Sequence, residues 1–282
     1  MVPRTWLLCG VPRSGSSLCC RLAGAAPDTV ALSEPIEPAT FASVAGPADA
    51  CARIRELVAS TRAELLATGR AASVQVDGRL DDDRVSETPN TMGLRPPRGG
   101  PGELRVDKPL STDFLLLIKH NALFAALLDG LAGSFPTLGL VRNPVAVLAS
   151  WQTVDLPVRQ GRVPMGERFD PELAGALDAE TDTLRRQVQV LHWFFARFRD
   201  CLTPDRVVRY EDVVASGGVA LFRRLGATAR AETLENRNAN TLYAPARVDA
   251  ILSAVAAANG AWSGWYGRRE CERVAADIAS DR

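Results

Sequence analysis

Near its N-terminus the chain reads Leu7-Leu8-Cys9-Gly10-Val11-Pro12-Arg13-Ser14-Gly15-Ser16-Ser17-Leu18. An apolar run leads into a turn bounded by Gly10 and Gly15, and small polar residues follow, which is typical of a buried strand, a tight loop and a helix start. The first N–H groups of a helix have no partner within the helix, so such a loop binds anions, phosphate above all. Arg13 adds one positive charge. The stretch predicts an α/β fold with a phosphate site after its first strand.

The glycine spacing of this loop matches the P-loop pattern G-x-x-x-x-G-K-[ST]. Ser16 stands at the lysine position and Ser17 at the position of the magnesium-binding hydroxyl, while the positive charge lies earlier, at Arg13. Without a lysine that reaches the β- and γ-phosphates, the loop is poorly suited to ATP. It favours a ligand whose 5′-phosphate carries a different group at the bond that breaks. A P-loop kinase or NTPase, and a catalytically silent nucleotide-binding protein, stay open as alternatives.

Length and composition narrow the class of protein. We expect residues 1–282 to form a single α/β domain. Lys and Arg number 33, as do Asp and Glu, so no overall charge favours a nucleic acid or an anionic membrane as partner. Six cysteines without a C-x-x-C pair, and only two histidines, predict no metal site and reduced thiols in a cytoplasmic protein. The apolar run at residues 6–11 is far shorter than the ~20 residues of a membrane span.

Apolar runs of strand length alternate with helical patterns along the chain, which predicts βαβ units and a parallel central sheet. The predicted strands are residues 6–9, 74–76, 104–107, 137–141 and 207–209. The predicted helices are residues 16–25, 50–67, 115–131, 145–151, 179–198 and 247–258. Two irregular segments, residues 81–102 and 153–171, are rich in proline and glycine. Loops of this length are often functional, so we expect both to form the substrate lid, and the second above all.

Three motifs carry a resemblance to a known family. The loop at residues 10–18 resembles the 5′-phosphosulfate loop of sulfotransferases that use 3′-phosphoadenosine 5′-phosphosulfate (PAPS), and most of all the tyrosylprotein and bacterial carbohydrate-type enzymes. Residues 140–151, with an arginine at a strand end and a serine eight residues on, resemble the family's 3′-phosphate segment. Residues 208–214, Val-Arg-Tyr-Glu-Asp-Val-Val, resemble its R-Y-E-D-L strand end.

This resemblance implies a fold and an activity. The fold would be a P-loop NTPase-like three-layer sandwich, with helices on both faces of the parallel sheet. The activity would be in-line transfer of a sulfuryl group from PAPS to a hydroxyl of a carbohydrate, lipid or small metabolite. The product would be 3′,5′-adenosine bisphosphate, and no metal would be required.

The resemblance also implies which residues hold PAPS. Arg13 would meet the charge that grows on the leaving oxygen, beside loop residues that wrap the 5′-phosphate. Arg142 and Ser150 would bind the 3′-phosphate, and Tyr210 and Arg237 would contact the nucleotide. The implied donor-binding residues are Arg13, Ser14, Gly15, Ser16, Ser17, Arg142, Ser150, Tyr210 and Arg237.

The remaining catalytic roles would fall to a second cation and a general base. Lys108 is the preferred cation because it follows a predicted strand and resembles a catalytic lysine segment, with Lys119 as the alternative. Glu34 resembles the glutamate that serves as base, and Glu37 is the alternative. Partial burial is expected to raise the pKa of Glu34 toward the working pH. We expect His120 to be structural.

Overall fold

Seven strands form two separate sheets in the computed structural model, which describes residues 4–280. The strands are β1 (Thr5–Gly10), β2 (Thr29–Ser33), β3 (Arg70–Gln75), β4 (Gly100–Arg105), β5 (Leu115–Lys119), β6 (Thr137–Val141) and β7 (Val207–Arg209). The central sheet has the order β2-β5-β1-β6-β7, and all of its neighbouring strands are parallel. β3 and β4 pair as an antiparallel hairpin outside this sheet.

The helices complete the chain between and after the strands. They are α1 (Ser16–Ala25), α2 (Pro47–Thr68), α3 (Asn121–Ala126), α4 (Leu128–Leu131), α5 (Pro144–Gln152), α6 (Pro164–Phe169), α7 (Pro171–Ala179), α8 (Thr183–Cys201), α9 (Tyr210–Ala215), α10 (Val219–Leu225), α11 (Pro245–Ala258) and α12 (Arg268–Ser280). Short 3₁₀ turns occupy Pro38–Phe41, Pro157–Gln160, Pro204–Arg206 and Ala261–Gly264. Between residues 4 and 280, no helix combines the length and the apolar character that crossing a membrane requires.

Two apolar cores lie on opposite faces of the central sheet. Successive side chains of a strand point to opposite faces, and in β5 Leu115 and Leu117 belong to one core while Leu116 and Ile118 belong to the other. Helices α1, α9 and α10 supply the first core. Helices α2, α3, α5, α8, α11 and α12 contribute to the second, larger core. The expected three-layer α/β architecture is therefore confirmed.

One predicted element has the wrong type. Residues 115–131 do not form a single helix: they contain strand β5, followed by the short helices α3 and α4. Every residue of β5 is buried, because a central parallel strand is covered by helices on both faces. Four consecutive apolar residues fit such a strand and a buried helix equally well, so periodicity did not separate the two.

Further differences concern strand β2, which was not among the predicted strands, the hairpin and the second irregular segment. The predicted strands at 74–76 and 104–107 overlap β3 and β4, which pair with each other and not with the parallel sheet. Residues 153–171 are not wholly irregular, since they contain a 3₁₀ turn and helix α6. The predicted bounds of β6, β7 and α1 agree with the structure.

Candidate active site

The carboxyl ends of the parallel strands bring together residues that are distant in sequence. The Arg13 loop follows β1, Glu34 follows β2, Lys119 ends β5, Arg142 follows β6 and Tyr210 follows β7. β2 and β5 lie on one side of β1, and β6 and β7 on the other. In open α/β sheets, ligands bind outside the carboxyl ends of the strands, at the position where the strand order changes direction. In this sheet that position is at β1.

A cavity of about 620 Å³ opens at this edge of the sheet, and all five of these residues line it. Small-molecule sites have volumes of about 300–1,000 Å³. Seven lining residues are cationic (Arg13, Arg84, Arg95, Lys119, Arg142, Arg162 and Arg237) and four are acidic (Glu34, Asp82, Asp83 and Glu235). This excess of positive charge favours an anionic ligand.

The turn after β1 has the geometry of an anion loop. Helix α1 begins at Ser16, and Gly15 precedes it in a left-handed conformation with φ of 88°. A Cβ atom at Gly15 would lie 2.7 Å from Cδ2 of Tyr210, so glycine is required by both conformation and space. Ser16 and Ser17 line the cavity, and the N–H groups of this first turn have no partner within the helix. The Ser14 side chain lies outside the cavity lining, fully buried.

The Arg13 side chain is held within the protein. Its Nη1 and Nη2 atoms donate to the two carboxylate oxygens of Asp83 at 2.5 and 2.7 Å, and its Nε donates to Ser150 Oγ at 3.3 Å. Burial would raise the pKa of Asp83, but the Arg13 guanidinium outweighs it and lowers that pKa below its ordinary value. The cation expected to face a leaving oxygen is thus paired with a carboxylate in this conformation.

Arg142 ties the second motif to the loop. Its Nη1 donates to the backbone oxygen of Arg13 at 2.8 Å, and its Nε donates to Asn238 Oδ1 at 2.8 Å. Its Nη2 donates to the Arg237 oxygen and, at 3.3 Å, to the Tyr243 hydroxyl. Arg142 is buried and lines the cavity, so it fixes the loop and keeps one Nη1 hydrogen for a ligand.

The other residues expected at the nucleotide have different positions. Ser150 is fully buried beneath Arg13 and does not line the cavity, so in this conformation it offers no contact to a 3′-phosphate. The Tyr210 ring lies under the Arg142 guanidinium, 4.6 Å from ring centre to Cζ. The half-exposed Arg237 side chain lines the cavity.

Glu34 and Lys119 form an ion pair in the cavity wall. Glu34 Oε1 accepts from Lys119 Nζ at 2.7 Å, and Glu34 Oε2 accepts from Arg84 at 3.2 Å. Burial acts to raise the pKa of Glu34, but Lys119, His120 and Arg84 outweigh it and lower that pKa to about 2. The expected rise was therefore wrong, because two cations that are distant in sequence face the carboxylate. The Glu34 backbone also has a positive φ of 48°, a strain that concentrates at functional sites.

The structure separates the two candidate lysines. Lys119 is buried and lines the cavity. Lys108 does not line it: its Nζ donates to the backbone oxygens of Gly24 and Ala26 at the far end of α1, at 2.5 and 2.7 Å. The preference for Lys108 is therefore corrected in favour of Lys119. Glu37 is exposed and does not line this cavity.

Several cavity residues were not anticipated from the sequence. Three of them, Asp83, Arg84 and Arg95, come from the first irregular segment. The backbone N–H of Arg95 donates to the backbone oxygen of Thr153 at 2.8 Å, which joins this segment to the second one. Asn121, two residues after Lys119, also lines the cavity, and its Oδ1 atom is buried without a hydrogen-bond partner among the described residues. The sequence did not indicate these positions, because charged residues in an irregular segment form no pattern that predicts their contacts.

Comparisons with known proteins add a structural likeness. The chain is similar to the crystal structure of the sulfotransferase STF1 from Mycobacterium tuberculosis H37Rv, with 15% sequence identity, over 99% of this chain and 77% of that chain, at a TM-score of 0.35. So low a TM-score does not define a function for this chain. No protein-family model and no curated protein matches it. Within residues 4–280, no group of three or more His, Cys, Asp or Glu side chains is arranged to hold a metal ion.

Proposed function

We propose that this protein is a sulfotransferase that moves a sulfuryl group from PAPS to an acceptor hydroxyl, with Glu34 as general base. One observation carries the proposal: Arg142 Nη1 lies 2.8 Å from the Arg13 oxygen, 129 residues away in sequence, and both residues share a cavity with the Glu34–Lys119 pair. The two motifs that resemble the phosphate-binding segments of PAPS enzymes therefore face one space.

The donor would lie along the carboxyl edge of the sheet. Its 5′-phosphate is assigned to the free N–H groups of Ser16 and Ser17, because a helix N-terminus favours an anion. The 3′-phosphate is assigned to Arg237, whose half-exposed guanidinium pairs with Glu87 at 3.6 Å and with Glu235 at 4.0 Å, and to the remaining Nη1 hydrogen of Arg142. The Tyr210 ring lies between these two positions and would contact the nucleotide.

In the transfer, the acceptor oxygen forms a bond to sulfur while the bond between sulfur and the bridging oxygen breaks, and the electron pair stays on the phosphate of the bisphosphate product. Glu34 accepts the proton of the acceptor hydroxyl. Lys119, 2.7 Å from Glu34, stabilises charge on the transferring group. Because Lys119 then faces a sulfuryl oxygen, its hold on Glu34 weakens and the carboxylate becomes a stronger base.

Calorimetry with 3′,5′-adenosine bisphosphate and with ATP plus Mg²⁺ tests the donor. We expect the bisphosphate to bind and ATP to bind at least tenfold more weakly, since the loop lacks the P-loop lysine. Binding of ATP with Mg²⁺ but not of the bisphosphate would overturn the proposal in favour of a P-loop kinase or NTPase.

Glu34→Gln tests the general base. Removal of a general base lowers turnover by about 10²- to 10⁴-fold, so the variant should lose that much sulfate transfer from PAPS while its bisphosphate affinity stays within a few fold. Glu37→Gln, three residues away and exposed, is the matched control and should keep its rate. An unchanged rate in Glu34→Gln would remove Glu34 as the base.

A further inference from the structure

One end of the cavity has a different chemistry from the phosphate end. Its wall comes from the second irregular segment and consists of Leu156, Pro157, Val158, Val163, Pro164 and Met165. Val158 and Val163 are buried within the protein, so the wall is anchored in the core. This aliphatic wall contains no aromatic side chain among these six residues.

The aliphatic wall lies beside the candidate base. Helix α6, which carries Met165, packs against α3, and a Cβ at Gly166 would lie 3.5 Å from Ala122 Cβ. Ala122 also lines the cavity, and α3 begins directly after Lys119 and His120. A molecule on this wall would therefore reach the Glu34–Lys119 pair with one of its ends.

The charge near the wall is already neutralised. Arg162 lines this part of the cavity, but its Nη1 pairs with Asp178 at 2.6 Å and its Nη2 pairs with Glu167 at 2.5 Å. An uncharged hydrocarbon body can therefore lie beside Arg162 without leaving that guanidinium unpaired.

We infer that the acceptor is an aliphatic alcohol, a hydroxyl group on a hydrocarbon body, whose body lies on the aliphatic wall and whose hydroxyl lies at Glu34. The inference rests on the proposed sulfotransferase function and narrows its substrate class. Transfer of the apolar surface of a hydrocarbon body from water to such a wall lowers the free energy. A sugar would bury several hydroxyl groups without partners there, which is unfavourable.

The two other acceptor classes fit less well. Sugar sites need several polar groups that fix the ring, whereas this wall supplies none from its six residues. A tyrosyl peptide would need a wide opening and partners for its backbone. The aliphatic wall beside the Glu34–Lys119 pair matches a molecule with one polar end.

An acceptor panel tests the inference on the full chain with PAPS as donor. The panel contains 1-decanol, geraniol and menthol as aliphatic alcohols, and trehalose, 4-nitrophenol and a tyrosyl peptide as competitors, with products followed by mass spectrometry. We expect at least one aliphatic alcohol to be sulfated with kcat/KM at least tenfold above each competitor. A competitor that equals or exceeds all three alcohols would overturn the inference, and so would sulfation of none of the three by a chain that binds 3′,5′-adenosine bisphosphate. A chain that does not bind the bisphosphate would instead contradict the proposed function.

Two variants locate the acceptor on the wall. Met165→Glu should lower kcat/KM for the preferred alcohol at least tenfold and leave bisphosphate affinity unchanged. Met92→Glu is the matched control, because Met92 is 70% exposed and lies outside the cavity lining. The unchanged bisphosphate affinity of Met165→Glu also reports that this variant is folded. An unchanged kcat/KM in Met165→Glu, or equal losses in both glutamate variants, would contradict the assignment.

Discussion

The Arg13 guanidinium is occupied by a carboxylate of its own chain. Asp83 supplies both oxygens to it, in the way a carboxylate, phosphate or sulfate group binds a planar guanidinium. An anionic donor at this loop must therefore compete with Asp83 or displace it. Because Asp83 belongs to the first irregular segment, this competition couples donor binding to the position of that segment.

Asp83→Asn should free Arg13 for the donor. We expect its affinity for 3′,5′-adenosine bisphosphate to rise about tenfold, or about 1.4 kcal/mol, and its free energy of unfolding to fall by about 1–3 kcal/mol through loss of a charge-assisted hydrogen bond. Calorimetry and urea unfolding measure the two effects. Asp107→Asn removes a negative charge that pairs with Arg105 on the surface, outside the cavity lining, and should change affinity little. An equal gain in both variants would mean that general charge, and not the Arg13–Asp83 pair, limits binding.

Glu34 provides a test through pH. Its pKa in the folded protein, about 2, lies below the ordinary 4.5, so its ionised form contributes stability that is complete above about pH 4.5 and is lost as the pH falls toward 2. The difference in unfolding free energy between the wild type and Glu34→Gln should therefore stay constant from pH 8 to pH 5 and shrink below that range. Urea unfolding at several pH values measures it. A difference that shrinks already between pH 8 and pH 6 would mean that the pKa of Glu34 is raised and that Lys119 does not hold it.

At the residue scale, the sequence indicated the motifs but not the side chains that contact them. Arg13, Glu34 and Arg142 were anticipated because each stands in a local pattern next to a strand. Asp83 and Arg84 were missed because their roles depend on contacts across 70 and 50 residues of chain. The low pKa of Glu34 was missed for the same reason, since its sign depends on neighbours that only the fold supplies.

At the scale of elements, the turn between β1 and α1 is fixed by packing as well as by conformation. Gly15 has a positive φ and lies against the ring of Tyr210, which begins α9 after the last strand of the sheet. The close approach places the Tyr210 ring beside the Arg13 loop. Any side chain at position 15 would separate these two elements.

Gly15→Ala should therefore weaken ligand binding by more than its loss of folding stability would suggest. The left-handed conformation costs an L-residue about 1 kcal/mol, and the clash with Tyr210 adds displacement of the loop. We expect bisphosphate affinity to fall at least tenfold by calorimetry. Gly133→Ala is the control, because its Cβ would meet no atom within 4 Å, and it should bind normally. Wild-type affinity in Gly15→Ala would mean that the loop does not hold the phosphate.

The elements of the fold were predictable where the pattern was unambiguous. Helix α1 and strands β6 and β7 have the predicted bounds because glycine, proline or polar residues delimit each apolar run. Strand β5 was mistaken for a helix because a fully buried strand has no alternating pattern. The antiparallel pairing of β3 with β4 had no local signal either, since pairing is a property of two distant segments.

At the scale of the whole molecule, five parallel strands deliver the Arg13 loop, Glu34, Lys119, Arg142 and Tyr210 to one edge and one cavity. The cavity combines cationic side chains with the aliphatic wall, and Glu34 and Lys119 line the same cavity. This arrangement suits a reaction in which a charged donor and an apolar acceptor meet at a single base.

A crystal structure of the protein with 3′,5′-adenosine bisphosphate tests this account most directly. It predicts the 5′-phosphate within about 3 Å of the Ser16 and Ser17 N–H groups, the 3′-phosphate at Arg142 or Arg237, and Asp83 displaced from Arg13. A bisphosphate bound away from the Arg13 loop, or with its 3′-phosphate distant from both arginines, would contradict the account.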